Sequence, residues 1–307
     1  MRTSFVETLS ELSRKNRSIY MLTADVGFSV FEKYREEFPE KFINAGISEA
    51  NMVGVAAGLA LSGKIPFLYS FAPFVTMRCF EQIRIDVCYQ NLKVIFVGLG
   101  GGITYCLEGA THHAVEDIAV MRALPNMSVV CPGDPIETRE AIKASLKHPG
   151  PIYIRIGKRG EPNIHKRIPK FKIGRALTLR EGRDAAVIAT GNMLGAADEA
   201  VNILRKEGIS AGLISMHTVK PLDISAVRRA AERSRIIFTV EEHNITGGLG
   251  SAVAESLSDM GIGTKLVRLA LPDSYVKKIS TQSDIRKSCN LDPAGISGEI
   301  KRALSRL

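Results

Sequence analysis

Glu49 is the first residue whose type and setting point to chemistry. It lies in the run "NAGISEANMVGVAAGLALSGKIPF", residues 44–67, which is almost wholly apolar beyond Asn51. Burying an ionised carboxylate is costly unless something pairs with it. A helix amino terminus, whose macrodipole favours negative charge, is one account. What else this carboxylate meets is the question the run poses. His112 and His113 stand together in "EGATHHAVED". No metal-ligand spacing accompanies them, since His148, His165, His217 and His243 lie far off without flanking ligands. Taken alone, the pair reads most simply as structural or exposed. Gly98, Gly100, Gly101 and Gly102 follow the run "KVIFV", where a phosphate-binding turn could sit. The string "GLGGGI" misses the dinucleotide fingerprint at its last position, and no P-loop Lys-Ser/Thr follows. A flexible strand-end loop is the simpler reading. In "TGGLGSA", residues 246–252, tight packing at a helix start explains the glycines as well as anion binding does. No GxSxG elbow supports a serine hydrolase. These features alone leave the function open.

The elements that must position these residues alternate along the chain. Strand patterns occur at "IYMLTA", "FINAGI", "IPFLYSF", "KVIFVG", "MSVVCP" and "PIYIRIG", with helical stretches at 31–38, 48–63, 74–90, 116–124 and 135–147. The strands lack polar alternation, as parallel strands covered on both faces do. The grammar restarts with "AAVIATG", helix 194–207, "SAGLISM", helix 223–233, "RIIFTVEE", helix 248–260, "KLVRLAL" and a final helix at 293–305. The expected fold is therefore α/β, with two domains, each a mainly parallel sheet flanked by helices. A length of 307 residues agrees with two domains. The boundaries predicted are 1–160, a basic linker at 161–182, and 183–307.

Charge and composition narrow the class. Hydrophobic content of 45% and charged content of 24% are ordinary for a globular protein. The net charge of +9 would suit nucleic acid, but its distribution does not. Residues 157–175, "GKRGEPNIHKRIPKFKIGR", carry seven Lys/Arg against one Glu and hold most of the excess. A solvated linker is the reading; a patch that attracts an anionic substrate is the alternative. No run approaches the ~20 apolar residues of a membrane span. The polar start "MRTSFVETLSELSRKNRS" lacks the apolar core of a secretory signal. Five cysteines without a CxxC pair suit free thiols in a reducing cytosol, so a cytoplasmic location is expected.

Read together, "GISEANMVGVAAGLALSGKIPF", "FEQIR", "GATHH", "PIYIRIGK" and "EEHNITGGLGSA" resemble, in order and spacing, the carboxyl-terminal half of transketolase. The second subunit of split transketolases is the closest likeness, and it covers essentially the whole chain. The resemblance implies a pyrimidine-binding domain for thiamine diphosphate followed by the transketolase carboxyl-terminal domain. It assigns Glu49 the contact to a ring nitrogen of the cofactor's aminopyrimidine, which activates the cofactor. Phe71 and Phe74 match positions that pack on that ring, with Met77 in place of a third aromatic. Asp25 matches an aspartate near the cofactor.

On the substrate side, the resemblance makes His112 the residue that faces the donor carbonyl. Glu108 replaces an aspartate that reads the neighbouring sugar hydroxyl, and His113 replaces a usual glutamine. Arg155 and Arg2 match phosphate-contacting arginines, and Ser29 a further phosphate contact. Gly100 stands where a phosphate-contacting histidine is common. The GDG…N diphosphate signature is missing: "GDP" at 133–135, with Asn163 downstream, mimics its spacing, but Pro135 makes the stretch open a helix. A separate amino-terminal subunit is thus implied to supply that motif and the Mg²⁺ ligands, in an α2β2 heterotetramer. The activity implied is transfer of a two-carbon ketol unit between sugar or sugar-like substrates, some phosphorylated. Two alternatives stay open: a decarboxylating synthase that uses pyruvate as donor, of the deoxyxylulose phosphate synthase or acyloin-forming type, and a non-catalytic stabilising subunit.

Overall fold

Apolar runs without polar alternation form two sheets covered on both faces. A computed structural model describes residues 1–158, 160–277 and 279–307. In the first sheet Ile19–Thr23 (β1), Phe42–Asn44 (β2), Ile65–Phe71 (β3), Ile95–Leu99 (β4), Ser128–Val130 (β5) and Ile152–Ile156 (β6) run parallel. Its order is β10, β5, β6, β4, β3, β1, β2, where β10 is Thr218–Lys220. The second sheet holds Leu177–Arg180 (β7), Ala185–Ala189 (β8), Ala211–Ser215 (β9), Ile236–Asn244 (β11) and Lys265–Leu271 (β12). They lie in the order β12, β11, β8, β9, β7, with only the edge strand β7 antiparallel.

Around the first sheet lie Arg2–Lys15 (α1), Glu32–Glu37 (α2), Glu49–Leu61 (α3), Phe80–Gln82 (α4), Asp117–Ala123 (α5) and Pro135–Ser145 (α6). Leu194–Lys206 (α7), Ile224–Arg233 (α8), Leu249–Asp259 (α9), Gln282–Ser288 (α10) and Pro293–Leu304 (α11) follow. Alternate residues of each strand feed opposite cores: Leu68, Phe96 and Tyr153 on one face of the first sheet, Phe67, Tyr69 and Ile154 on the other. The α/β reading with two mainly parallel sheets holds. No helix among the described residues is long and apolar enough to cross a membrane.

Four features depart from the expected pattern. The three-residue strand β10 leaves the second half of the chain and pairs antiparallel with β5. The strand β7 falls inside the segment read as linker. The helix expected at 74–90 is a short α4 between π-helical turns at Phe74–Arg78 and Ile83–Tyr89. Such turns widen a helix and re-aim its side chains, often beside a functional site. The linker is also seated rather than wholly solvated. Asp134 caps α6 by accepting from the Glu137 amide at 2.7 Å, and its other oxygen accepts from the amides of Ile164 and His165 at 2.9 and 3.1 Å. Phe171 stacks on His217 with ring centroids 4.0 Å apart.

Candidate active site

Glu49 occupies the first turn of α3, at the positive end of its macrodipole. Its side chain is 2% exposed. Below it, Met52, Val53, Ala56 and Ala57 anchor the helix in the core. Among the described residues two side chains donate to the carboxylate. Arg78 Nη1 donates to Oε2 at 2.9 Å, and Ser70 Oγ donates to Oε1 at 3.4 Å. Ser70 comes from the end of β3, and Arg78 from the π turn that follows. The Arg78 guanidinium also lies 4.2 Å from the Phe74 ring centroid, a cation–π distance.

That ring leads to the next group. Phe74 stands edge-on to Phe71 at 5.5 Å, and each ring lies 5.2 Å from the His112 imidazole. Tyr105 closes the cluster edge-on to Phe71 at 4.8 Å. Thus Glu49, Phe71, Phe74 and His112 meet at the carboxyl edge of the first sheet, where α/β folds hold ligands. His112 Nδ1 is engaged with Thr111 Oγ1 at 3.0 Å. His113 points the other way into the core, 4% exposed, and burial pushes its imidazole below its ordinary pKa. Its Nε2 finds no hydrogen-bond partner among the described residues.

Other expected residues lie around this centre. Met77 sits on the π turn and is partly exposed. Glu108 is exposed on the same loop as His112, where its carbonyl accepts from Thr111. Asp25 follows β1 with φ 53° and exchanges hydrogen bonds with Asn44 at 3.0 and 3.1 Å. Ser29 has φ 58°, and its amide donates to Glu32 at 2.6 Å. Two non-glycine residues in the left-handed region mark a strained loop. It borders a cleft lined by Asp25, Gly27, Phe28, Arg35 and Asn44, separate from the Glu49 cluster.

Arg155 departs from its expected role. Its guanidinium is buried, with Nε on Asp117 at 2.8 Å and Nη2 on the carbonyls of Ala114 and Glu242 at 2.8 and 2.9 Å. Burial works against the cation, but Asp117 outweighs it and holds the group above its ordinary value. An arginine so committed is not presented to a substrate phosphate. The strand-end cation that sequence reasoning passed over is Lys158, whose ammonium lies 4.6 Å from the Tyr105 ring. Arg2 joins it there, its amide donating to the Lys158 carbonyl at 3.3 Å.

The glycine strings are packed rather than open. A Cβ on Gly101 would sit 2.6 Å from Arg155 Nε, and one on Gly248 would sit 2.0 Å from Glu241 Oε2. Glu241 itself accepts from the amides of Leu249 and Gly250, both at 2.7 Å, so the anion at the start of α9 is the chain's own. Sequence reasoning also missed Arg78, although it is the only cation between residues 65 and 83. Charge pairing alone would have nominated it as the partner of Glu49. Among the described residues no group of three or more His, Cys, Asp or Glu could hold a metal ion.

Comparison with known proteins shows the family. Residues 1–161 match the family "Transketolase, pyrimidine binding domain", and residues 174–296 match "Transketolase, C-terminal domain". A subunit of the apulose-4-phosphate transketolase from Phocaeicola vulgatus is 38% identical over 297 residues, 96% of this chain and 94% of that protein. A 1-deoxy-D-xylulose-5-phosphate synthase 1 from Geobacter sulfurreducens is 37% identical over 98% of this chain, but the match spans 47% of that longer protein. Among solved structures, a split gene transketolase described as an inactive β4 tetramer superposes with a TM-score of 0.91 at 38% identity, covering 99% of this chain and 98% of that one. The chain belongs to the transketolase family and corresponds to its carboxyl-terminal half, the pyrimidine-binding and C-terminal domains.

Proposed function

We propose that this chain is the pyrimidine-side subunit of a split, thiamine diphosphate-dependent transketolase-type enzyme. It transfers a two-carbon ketol unit between sugar or sugar-like substrates, and works only with a separate amino-terminal subunit. The observation that carries this reading is the buried Glu49 carboxylate beside the Phe71, Phe74 and His112 rings. A flat nitrogen heterocycle fits there: the carboxyl group meets a ring nitrogen, and aromatic faces and edges cover the ring.

When bound, thiamine diphosphate supplies the carbanion chemistry that no side chain can. The chain's own residues prepare it. Glu49 Oε2, which accepts from Arg78 in the chain by itself, meets the ring nitrogen in its place and shares a proton with it, and the apolar body of α3 keeps water away. His112, with Nδ1 engaged by Thr111, presents Nε2 to hold or move a proton at the substrate carbonyl oxygen. Glu108, on the same loop, reads a hydroxyl beside that carbonyl. Arg2 and Lys158 take the phosphate end of a phosphorylated substrate, with Ser29 a further contact. Met77 fills the space beside the ring, while Asp25, on the separate cleft after β1, is a contact to the rest of the cofactor in this reading.

The partner reading rests on what the chain uses up. Asp134, the aspartate nearest to a diphosphate motif, is spent on three backbone amides. Diphosphate contacts and Mg²⁺ ligands then come from the second polypeptide, in an α2β2 heterotetramer. The outer face of α3 fits such a cover: Gly54 and Gly58 open onto empty space, and Leu61 at its end and Ile47 in the turn before it are exposed. Residues 1–160 form the pyrimidine-binding unit and 183–307 the C-terminal unit in this reading, with a cytoplasmic location.

The likeness to a deoxyxylulose phosphate synthase supports a second reading, with pyruvate as donor. Mixing the chain with an amino-terminal transketolase half separates the two. Ketose-dependent elongation of an aldehyde supports ketol transfer; carbon dioxide release from pyruvate supports the synthase. No turnover with either donor in a stable complex would leave a stabilising subunit.

A further inference from the structure

The segment "EEHN" of β11 belongs to the second half of the chain, yet it grips the loop that carries His112. Glu242 lies at its centre with a fully buried carboxylate. Its Oε1 accepts from the Ile103 amide at 2.9 Å, from Asn192 Nδ2 at 3.1 Å and from Gln282 Nε2 at 2.8 Å. Its Oε2 accepts from Gln282 and from Arg286 Nε. These donors come from three separate places: the glycine loop after β4, the turn before α7, and α10. A buried carboxylate with this many donors, one of them charged, is held rigidly.

The loop end held by Glu242 is the neck of a closed structure. Gly102 and Ala114 exchange backbone hydrogen bonds at 2.9 and 2.8 Å, so residues 103–113 leave and return through one point. Arg155 Nη2 spans that neck, donating both to the Ala114 carbonyl and to the Glu242 carbonyl. Gly102 has φ +69°, and a Cβ there would come within 2.4 Å of Glu242 Oε1. Neighbouring residues extend the seam, since the Asn244 amide donates to the Val115 carbonyl at 2.8 Å and the Ala119 amide to His243 Nε2 at 3.3 Å.

We propose that Glu242 is a positioning residue for His112: its carboxylate, held by Asn192, Gln282 and Arg286, fixes Ile103 and thereby the 103–113 loop. This rests on the role given to His112 above. It gives "EEHNITGG" a task beyond holding its own domain together. Motion of the second sheet or of α10 reaches the loop through this seam, in which Asn192 and Gln282 also touch Thr104 Oγ1 at 3.3 and 3.5 Å and Glu242 is the shared acceptor.

The test compares Glu242→Gln with wild type, both as the free subunit and in the reconstituted complex. Amide hydrogen exchange on the free subunit should accelerate ~10-fold or more across 103–114 while β8 and β9 keep their protection. Uniform acceleration, or none in the loop, would overturn the proposal and leave Glu242 as ordinary interdomain glue. In the complex, kcat should fall ~10- to 100-fold with little change in the cofactor's apparent affinity, as misplacement of a catalytic group produces. The double variant Glu242→Gln/His112→Ala should be no slower than His112→Ala alone; additive losses contradict positioning. If Glu242→Gln does not fold, Gln282→Ala removes one donor and the same measurements apply with smaller shifts in the same direction. If His112→Ala leaves turnover intact, the catalytic reading of His112 fails, and loop exchange alone decides the clamp.

Discussion

The Glu49 carboxylate and the Arg78 guanidinium meet at 2.9 Å, the first almost fully buried and the second 47% exposed. In the chain by itself the arginine takes the place that the proposed function gives to a ring nitrogen of the cofactor. Arg78→Met should therefore cost the free chain about 1–3 kcal/mol of stability, less than the ~3–5 kcal/mol of a fully buried pair because Arg78 stays hydrated. Combining it with Glu49→Gln should recover part of that loss. Urea titration of the four proteins gives the coupling energy; additive effects would show that the pair carries none.

His112 and His113 are adjacent but face different surroundings, so their substitutions should separate. His112→Ala should lower turnover of the complex by ~10²- to 10⁴-fold with little change in stability. His113→Ala should cost about 1–3 kcal/mol of stability, by opening a cavity, and spare most of the turnover. Parallel kinetics and melts on both variants check this. Equal effects on turnover would mean that the wrong histidine has been assigned.

Arg155→Ala leaves Asp117 buried without its cation and should cost ~3–5 kcal/mol. Any loss of activity should be alike for phosphorylated and dephosphorylated substrates. Lys158→Ala should instead raise KM for the phosphorylated substrate alone, by ~10- to 100-fold, the worth of one charge-assisted contact. Measuring KM for both substrates on both variants decides which residue meets phosphate.

Much of the fold was legible because both sheets are covered on both faces, which writes β3, β4, β6, β8 and β9 as mainly apolar runs without polar alternation. The three-residue β10 and the α10 helix, with Ile285 as its one buried residue, are too short to show a period. Site residues were legible by type, and through the family likeness, but not by orientation. A strand-end arginine looks the same in sequence whether it faces a cleft or the core. Asp117, which turns Arg155 inward, lies 38 residues away. The Glu49–Arg78 pair spans 29 residues and depends on a π turn that no periodicity announces.

The linker carries a pH-dependent contact. His165 Nε2 and Glu137 Oε1 lie 2.7 Å apart. Burial opposes the His165 cation, yet Glu137 outweighs it and raises the imidazole above its ordinary 6.5. Burial likewise opposes the Glu137 anion, but the His165 hydrogen bond, the nearby His217 and the Gly133 amide together lower it below 4.5. The His165 contribution is complete below pH 6.5 and is lost as pH rises through the raised value. The Glu137 contribution is complete above pH 4.5 and is lost as pH falls through the lowered value. His165→Gln should abolish the alkaline-side loss; urea midpoints measured from pH 6 to 9 check it. A wild-type midpoint no more pH-sensitive than the variant's would contradict the pairing.

In the proposed function Glu49 activates a cofactor held between this chain and a second one. The most direct measurement is turnover of ketose and aldehyde by the chain, an amino-terminal transketolase half, and their mixture, with wild-type and Glu49→Gln protein. Neither part alone should turn over, and the wild-type mixture should. The Glu49→Gln mixture should still assemble and lose activity by ~10³-fold or more, because the amide cannot share a proton with the ring. Turnover by the chain alone, or a Glu49→Gln mixture that keeps more than about a tenth of wild-type activity, would contradict the account.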